Sequence, residues 1–340
     1  MSLQLQRSYS QPQAPDPVLR ALQGGGDCEQ LDGLVPSEIL ALAQENEQRT
    51  PPLVAKKPEL AAKIEAAIDR YSTEHRLYLG DSRGMDAIPS ESVHLVVTSP
   101  PYWTLKEYPG SVGQLGHIDD YEEFLTELDE VWRQVFRVLV PGGRLVVVVG
   151  DVCLSRRQFG RHLVMPLHAS IQERCRGLGF DNLAPIIWHK IANAKLEVEN
   201  GSGGFLGKPY EPNAVIKNDI EFILFQRKPG GYRQPSLAAR LLSVIPEDRH
   251  REWFQQVWTV RGASTRHHPA PYPVEVAERL VRMFSFVGDT VLDPFLGTGT
   301  TSVAAQRWGR HSIGFEVEPD YFEMAARRLV EEQLRLRFED

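Results

Sequence analysis

The sequence predicts an α/β fold built on a doubly wound, mostly parallel sheet, and three observations carry that prediction. From Leu77 onward, short apolar strands alternate with amphipathic helices, the pattern of a parallel sheet covered on both faces. Residues 93–97 read as a buried strand leading straight into the rigid run Thr98-Ser99-Pro100-Pro101-Tyr102-Trp103. Residues 291–301 pass from a strand through a tight glycine turn into a helix. A chain of 340 residues is long enough for one such domain with insertions, or for a core with a smaller recognition lobe.

The elements follow in order. Residues 1–72 form an N-terminal extension whose first 35 residues are rich in Pro, Gln and Gly, bury little and are expected to be mobile. Residues 37–47 and 59–71 carry apolar side chains at helical spacing, separated by the helix-breaking Thr50-Pro51-Pro52. Residues 73–190 form the first part of the core. There a helix at 121–139 places Phe124, Leu128, Val131, Trp132, Val135 and Leu139 on one face, and Pro141-Gly142-Gly143 ends it before a strand at 145–149. A helix at 166–178 and strands at 185–188 and 221–225 follow. The stretches 191–217 and 228–266 fit the alternation poorly, being rich in Gly, Pro, Arg and aromatic residues, so 191–266 reads as a region of insertions, where recognition elements tend to sit. Residues 267–340 close the core with helices at 274–284, 300–308 and 320–335 and strands at 290–292 and 311–315.

Composition narrows the function. Apolar residues make up 42% and charged residues 24%, and no run approaches the roughly 18 apolar residues of a membrane span. The first 30 residues lack an apolar segment behind a basic start, so no export signal is read and a cytoplasmic, membrane-free protein is expected. Cys28, Cys153 and Cys175 are too few and too scattered for a disulfide framework or a cysteine zinc site. The histidines show no metal-ligand spacing, and no metal is expected. The formal charge is −7, but residues 151–270 hold 17 Lys and Arg against 11 Asp and Glu, so a cationic lobe sits on an acidic body.

Two motifs carry chemistry. Asp293-Pro294-Phe295-Leu296-Gly297-Thr298-Gly299-Thr300-Thr301 lets a ligand approach the backbone, and the free N–H groups of the helix that follows favour a carboxylate or phosphate. Glu316 ends the next strand, at a separation that presents an acid to ribose hydroxyls. The spacing is neither the dinucleotide fingerprint nor a P-loop, and a nucleoside with an amino-acid tail fits better. Alone, a Gly-x-Gly turn also fits a plain strand-to-helix connection.

The second motif follows the strand at 93–97, at the carboxyl end of the sheet. An aromatic exocyclic amino group is a poor nucleophile because its lone pair is delocalised into the ring. Two fixed acceptors that take both amino hydrogens make it more tetrahedral, and the Ser99 hydroxyl and Pro100 carbonyl are candidates, held by Pro101. Tyr102 offers a flat face for a base removed from a duplex, and Trp103 extends that wall. Alone, a Pro-Pro-aromatic run also fits a rigid turn with a core tyrosine.

Taken together, these motifs resemble those of the amino-methylating DNA methyltransferases of restriction-modification type, in the permuted (beta-type) order in which the catalytic motif precedes the cofactor motif. The resemblance covers about residues 77–334. It implies the seven-stranded, Rossmann-like class I methyltransferase fold, S-adenosylmethionine as cofactor and double-stranded DNA as partner. Leu79-Gly80-Asp81 is similar to the segment whose acid contacts the cofactor adenine. Residues 293–301 match the methionine-binding loop, with Asp293, Phe295, Gly297, Thr298, Gly299, Thr300 and Thr301 as cofactor residues. His268-Pro269-Ala270-Pro271-Tyr272-Pro273 is similar to the segment that completes the pocket, so His268 and Ala270 join that set, and Glu316 falls at the ribose-binding acid.

Ser before Pro-Pro-Tyr implies cytosine N4 as the target, with adenine N6 the alternative. His94 stands where the family commonly has Asp and is read as structural. Trp188-His189-Lys190 resembles a segment near the target base, which makes Trp188 and Lys190 candidate base-pocket residues, and a core tryptophan at a strand end is the equal alternative for Trp188. Arg233 and Arg240 are candidate DNA contacts within a target-recognition region at 191–266. Residues 73–190 then form the catalytic part of the core and 267–340 the cofactor-binding part. A cognate restriction endonuclease and a homodimer are implied by analogy. An RNA or protein methyltransferase and a non-catalytic DNA-binding protein are the other readings weighed.

Overall fold

A computed structural model describes residues 17–21, 28–104, 110–190, 218–262 and 272–338. The strands are β1 (Pro17–Ala21), β2 (His75–Leu79), β3 (Val93–Thr98), β4 (Leu139–Val149), β5 (Val152–Leu154), β6 (Leu163–Met165), β7 (Asp181–His189), β8 (Ile220–Arg227), β9 (Val257–Trp258), β10 (Thr290–Asp293) and β11 (His311–Glu316). Nine of them form one sheet in the order β1-β2-β11-β10-β3-β4-β8-β7-β9, and β5 and β6 form a separate pair. The run from β2 through β4 is parallel, and β8 is antiparallel to both its neighbours. The expected seven strands are the inner seven, with β1 and β9 added at the edges.

Both faces of the sheet are covered. The helix Tyr121–Val138 lays Phe124, Leu128, Trp132 and Val135 against Val147 and Val149, with Ile171 and Cys175 of the helix Leu167–Gly177 beside them. On the other face Val276 and Leu280 of the helix Val274–Phe284 meet Val146, Val148 and Ile223. The alternation along β4 supplies both faces, as a fully buried strand requires. Because β3 and β10 are parallel neighbours, pairing Leu95 with Val291 and Val96 with Leu292, the loops after them emerge side by side although nearly 200 residues apart in the chain.

Several expectations are corrected. Thr50-Pro51-Pro52 starts a helix, Thr50–Ala55, because proline in a first turn gives up only N–H groups that have no helical partner. Part of the stretch expected to be mobile is ordered as β1 on the sheet edge and the helix Cys28–Asp32. β4 begins at Leu139 and takes in Pro141-Gly142-Gly143 through a register shift against β3. Within 228–266, β9 extends the sheet beside β7, so that stretch is in part sheet and not wholly insertion. The helix Leu237–Leu242 packs Leu241 and Leu242 against Ile39, Val54 and Ile64 of the N-terminal extension. Local composition hid these apolar residues because their partners lie almost 200 positions away. Residues 191–217 lie outside the described residues.

Candidate active site

A cleft opens at the carboxyl end of the parallel strands, where α/β sheets place their ligands. Ser99 and Pro101 form one wall, and Phe295, Gly297 and Glu316 another. Gly80 and Asp81, after β2, close the far side.

The glycine loop is fixed from beneath. Asp293 is 1% exposed, and its Oδ1 accepts from the Thr98 hydroxyl at 2.6 Å and the Phe295 N–H at 3.0 Å. Its Oδ2 accepts from the Thr301 hydroxyl at 2.7 Å, and the Tyr272 hydroxyl in turn bonds Thr301 Oγ1. Asp293 therefore holds the loop to β3 and lies under the cleft wall. Burial raises its pKa to about 6 against these hydrogen bonds. Gly297 and Gly299 adopt left-handed backbone conformations, and a Cβ at Gly299 would lie 2.9 Å from that of Ala325. Arg328 donates to the Thr298 carbonyl at 2.6 Å and more weakly to the Thr300 hydroxyl, bracing the loop from the last helix.

Glu316 faces the cleft. One carboxylate oxygen accepts the Gly297 N–H at 2.7 Å and the other the Glu318 N–H at 2.9 Å. Burial raises its pKa to about 7. Asp81 accepts from the Arg83 backbone and guanidinium, and Arg83 also pairs with Glu127. A glycine-walled slot between two acids, flanked by Phe295, Phe315 and Tyr321, suits a nucleoside whose tail runs along the loop. The residues present thus fit S-adenosylmethionine.

The run 98–103 is held more sparingly. The Ser99 hydroxyl donates to Tyr102 Oη at 3.3 Å, and Tyr102 donates to the Val148 carbonyl at 3.4 Å. Tyr102 and Trp103 are 5% and 7% exposed, so both rings are packed in this structure. Trp103 has φ 46°, a left-handed conformation that costs a non-glycine residue on the order of 1–3 kcal/mol. Its indole N–H donates to the Ile118 carbonyl at 2.8 Å, and its ring meets Tyr121 edge-on.

The outlying expected residues separate. Trp188 is 1% exposed and donates its indole N–H to the Val260 carbonyl at 2.6 Å, so it is a core tryptophan and not a base platform. Lys190 pairs with the buried Glu221, whose carboxylate and the Tyr102 ring both border Gly150. Arg233 pairs with buried Asp289 below the amino end of β10, and Arg240 pairs with Glu47, so both are placed away from the cleft by ion pairs that composition does not show. His268 and Ala270 lie outside the described residues.

Sequence reasoning missed Gly113, Gln114 and Leu115, which line the cleft from the loop before the helix Tyr121–Val138 and carry no motif. It also missed Arg328, an ordinary surface arginine by pattern. Among the described residues no group of His, Cys, Asp and Glu is placed to hold a metal, and no helix is long and apolar enough to cross a membrane.

Known proteins bear on this site. The N6/N4 DNA methylase family profile matches residues 93–327. A type II methyltransferase of Methanocaldococcus jannaschii, M.MjaI, is 37% identical over 73% of this chain and 88% of its own length. A second, M.MthZI of Methanothermobacter thermautotrophicus, is 34% identical over 76% of this chain and 77% of its own. A protein of Thermus thermophilus, solved in complex with S-adenosyl-L-methionine, is 56% identical with a TM-score of 0.63, covering 76% of this chain and 94% of its own.

Proposed function

Because this chain belongs to the N6/N4 DNA methylase family and is a DNA amino-methyltransferase that uses S-adenosylmethionine, we propose that its target is N4 of cytosine in double-stranded DNA, on a base turned out of the duplex. The observation that carries the reading is that Ser99 stands in the wall of the same cleft as Gly297 and Glu316.

The bound cofactor supplies an electrophilic methyl group on a sulfonium. Glu316 accepts from the ribose hydroxyls, Asp81 faces the adenine end, and Gly297 leaves the backbone open to the tail. The Ser99 hydroxyl and Pro100 carbonyl take the two amino hydrogens of the target base, which turns the nitrogen lone pair toward the methyl group. Positioning accounts for most of the rate, and no covalent intermediate is needed. Tyr102 stacks on the flipped base after its ring leaves the packed position it holds here. Lys190 borders that pocket through Glu221. The assignments of Asp293, Thr298, Thr300 and Thr301 are to shaping the loop, not to touching the ligand. A cognate restriction endonuclease and a homodimer belong to the same reading.

The test is to incubate the protein with plasmid DNA and labelled S-adenosylmethionine and identify the methylated nucleoside by mass spectrometry. N4-methylcytosine is expected. N6-methyladenine keeps the chemistry and overturns the base assignment.

A further inference from the structure

At the amino end of the sheet, away from the cleft, lies a second cavity of about 190 Å³ walled by Arg144, Arg227, Arg233, Tyr232 and Phe284. Arg144 sits six residues before Gly150 on the line of β4, so roughly 20 Å of strand separates this cavity from the level of the catalytic loop. Its charges are unevenly matched. Arg233 pairs with Asp289, and Arg227 pairs with Asp181 at 2.8 Å. Among the described residues no carboxylate pairs with Arg144, and its Nε is buried without a hydrogen-bond partner.

The register sharpens this. β4 and β8 are antiparallel, and Arg144 lies directly opposite Arg227. Residues opposite each other share a face at about 5 Å between backbones, and like charges there are destabilising. Burial, with Arg227 beside it, lowers the Arg144 pKa, the response of a guanidinium lacking its counter-charge. The Arg144 guanidinium lies 5.3 Å from the Phe284 ring centroid, which fixes its plane without neutralising it. Gly230 and Gly231 leave the rim bare of side chains, while Tyr232, 91% exposed, stands at the mouth.

We propose that this cavity is a second ligand site, which takes the phosphate group of a free nucleotide between Arg144 and Arg227. A phosphate presents acceptor oxygens to the unpaired Arg144 fork and to the edge of Arg227 that Asp181 does not take, and it supplies the negative charge that two arginines sharing one carboxylate lack. Tyr232 offers its ring to the base. The site is separate from methyl transfer, so it stands whichever base proves to be methylated.

The experiment measures binding of AMP by calorimetry with the cofactor cleft saturated by S-adenosylhomocysteine. AMP is expected to bind, inorganic phosphate to compete with it, and adenosine to bind at least tenfold more weakly. Arg144→Gln is expected to weaken AMP at least tenfold while methylation of plasmid DNA is unchanged. Should that variant fail to fold, Arg144→Lys keeps the charge, loses the fork and is expected to weaken AMP at least threefold. Tyr232→Ala, at a fully accessible position, is expected to weaken AMP and leave phosphate unaffected. Equal binding of adenosine and AMP, no binding of AMP at millimolar concentration, or AMP affinity untouched by loss of the Arg144 fork would each overturn the proposal.

Discussion

The loops 293–301 and 99–103 border one cleft and are held in different ways. In the first, the Asp293 carboxylate is engaged on both oxygens, Thr301 and Tyr272 are bonded, and Arg328 and Glu316 clamp the turn from either side. In the second, Ser99 and Tyr102 donate hydrogen bonds of 3.3 and 3.4 Å, and Trp103 keeps a left-handed backbone with its indole bonded to the Ile118 carbonyl. A loop that cradles a ligand of fixed shape gains from being preorganised. On the proposed function the second loop receives a base turned out of the duplex, and long hydrogen bonds with some stored strain make its rearrangement cheaper.

The largest expected effect that tests this contrast is on the cofactor side. Asp293→Ala takes the acceptor from the buried Thr98 hydroxyl and the Phe295 N–H and one of two acceptors from Thr301, and is expected to lower stability by about 3 kcal/mol and weaken cofactor binding. Thermal unfolding and titration calorimetry read it, and a fully stable variant with normal affinity removes the claim that this loop is preorganised. On the catalytic side, Ser99→Ala is expected to lower turnover about 100-fold, about 2.7 kcal/mol, with the cofactor Kd unchanged. A change in Kd alone reverses the roles of the two loops.

A smaller effect is expected at Glu316. Its pKa, raised to about 7 by burial, lies above its ordinary 4.5. The stability this group contributes is therefore complete below about 4.5 and is lost as pH rises toward 7. Ribose hydroxyls need the ionised carboxylate, so cofactor affinity runs the other way, improving up to about tenfold, about 1.4 kcal/mol, from pH 6 to 8. Glu316→Gln is expected to flatten that profile. The smallest effect belongs to Arg240→Ala, which removes a half-exposed ion pair with Glu47 and is expected to change stability by less than about 0.5 kcal/mol and DNA affinity not at all. A clear loss of DNA affinity restores Arg240 as a contact.

The sheet strands and covering helices were legible because burial on two faces writes continuous apolar runs, and helix faces write a 3.6-residue period. The helix Val274–Phe284 was read to the residue. The cofactor loop was legible because a strand, two glycines in a tight turn and an acid one strand later occur at fixed spacing. Residues 237–244 were not, since their apolar side chains pack on the N-terminal extension instead of repeating along the local chain. Nor could the sequence place Arg233 and Arg240 or decide between base pocket and core for Trp188, because an aromatic or a cation looks the same in sequence whether it meets a base, a backbone carbonyl or a carboxylate.

By itself the sequence determined the fold class, the cofactor type and the two motifs of the cleft, all of which depend on residues close together in the chain. Only the tertiary structure decided that Asp293 works from beneath the cleft wall, that Tyr102 is packed away, and that Arg144 faces Arg227 without a counter-charge. Those facts depend on strand register and on which charges find partners across the sheet, and both are fixed only when distant segments pack.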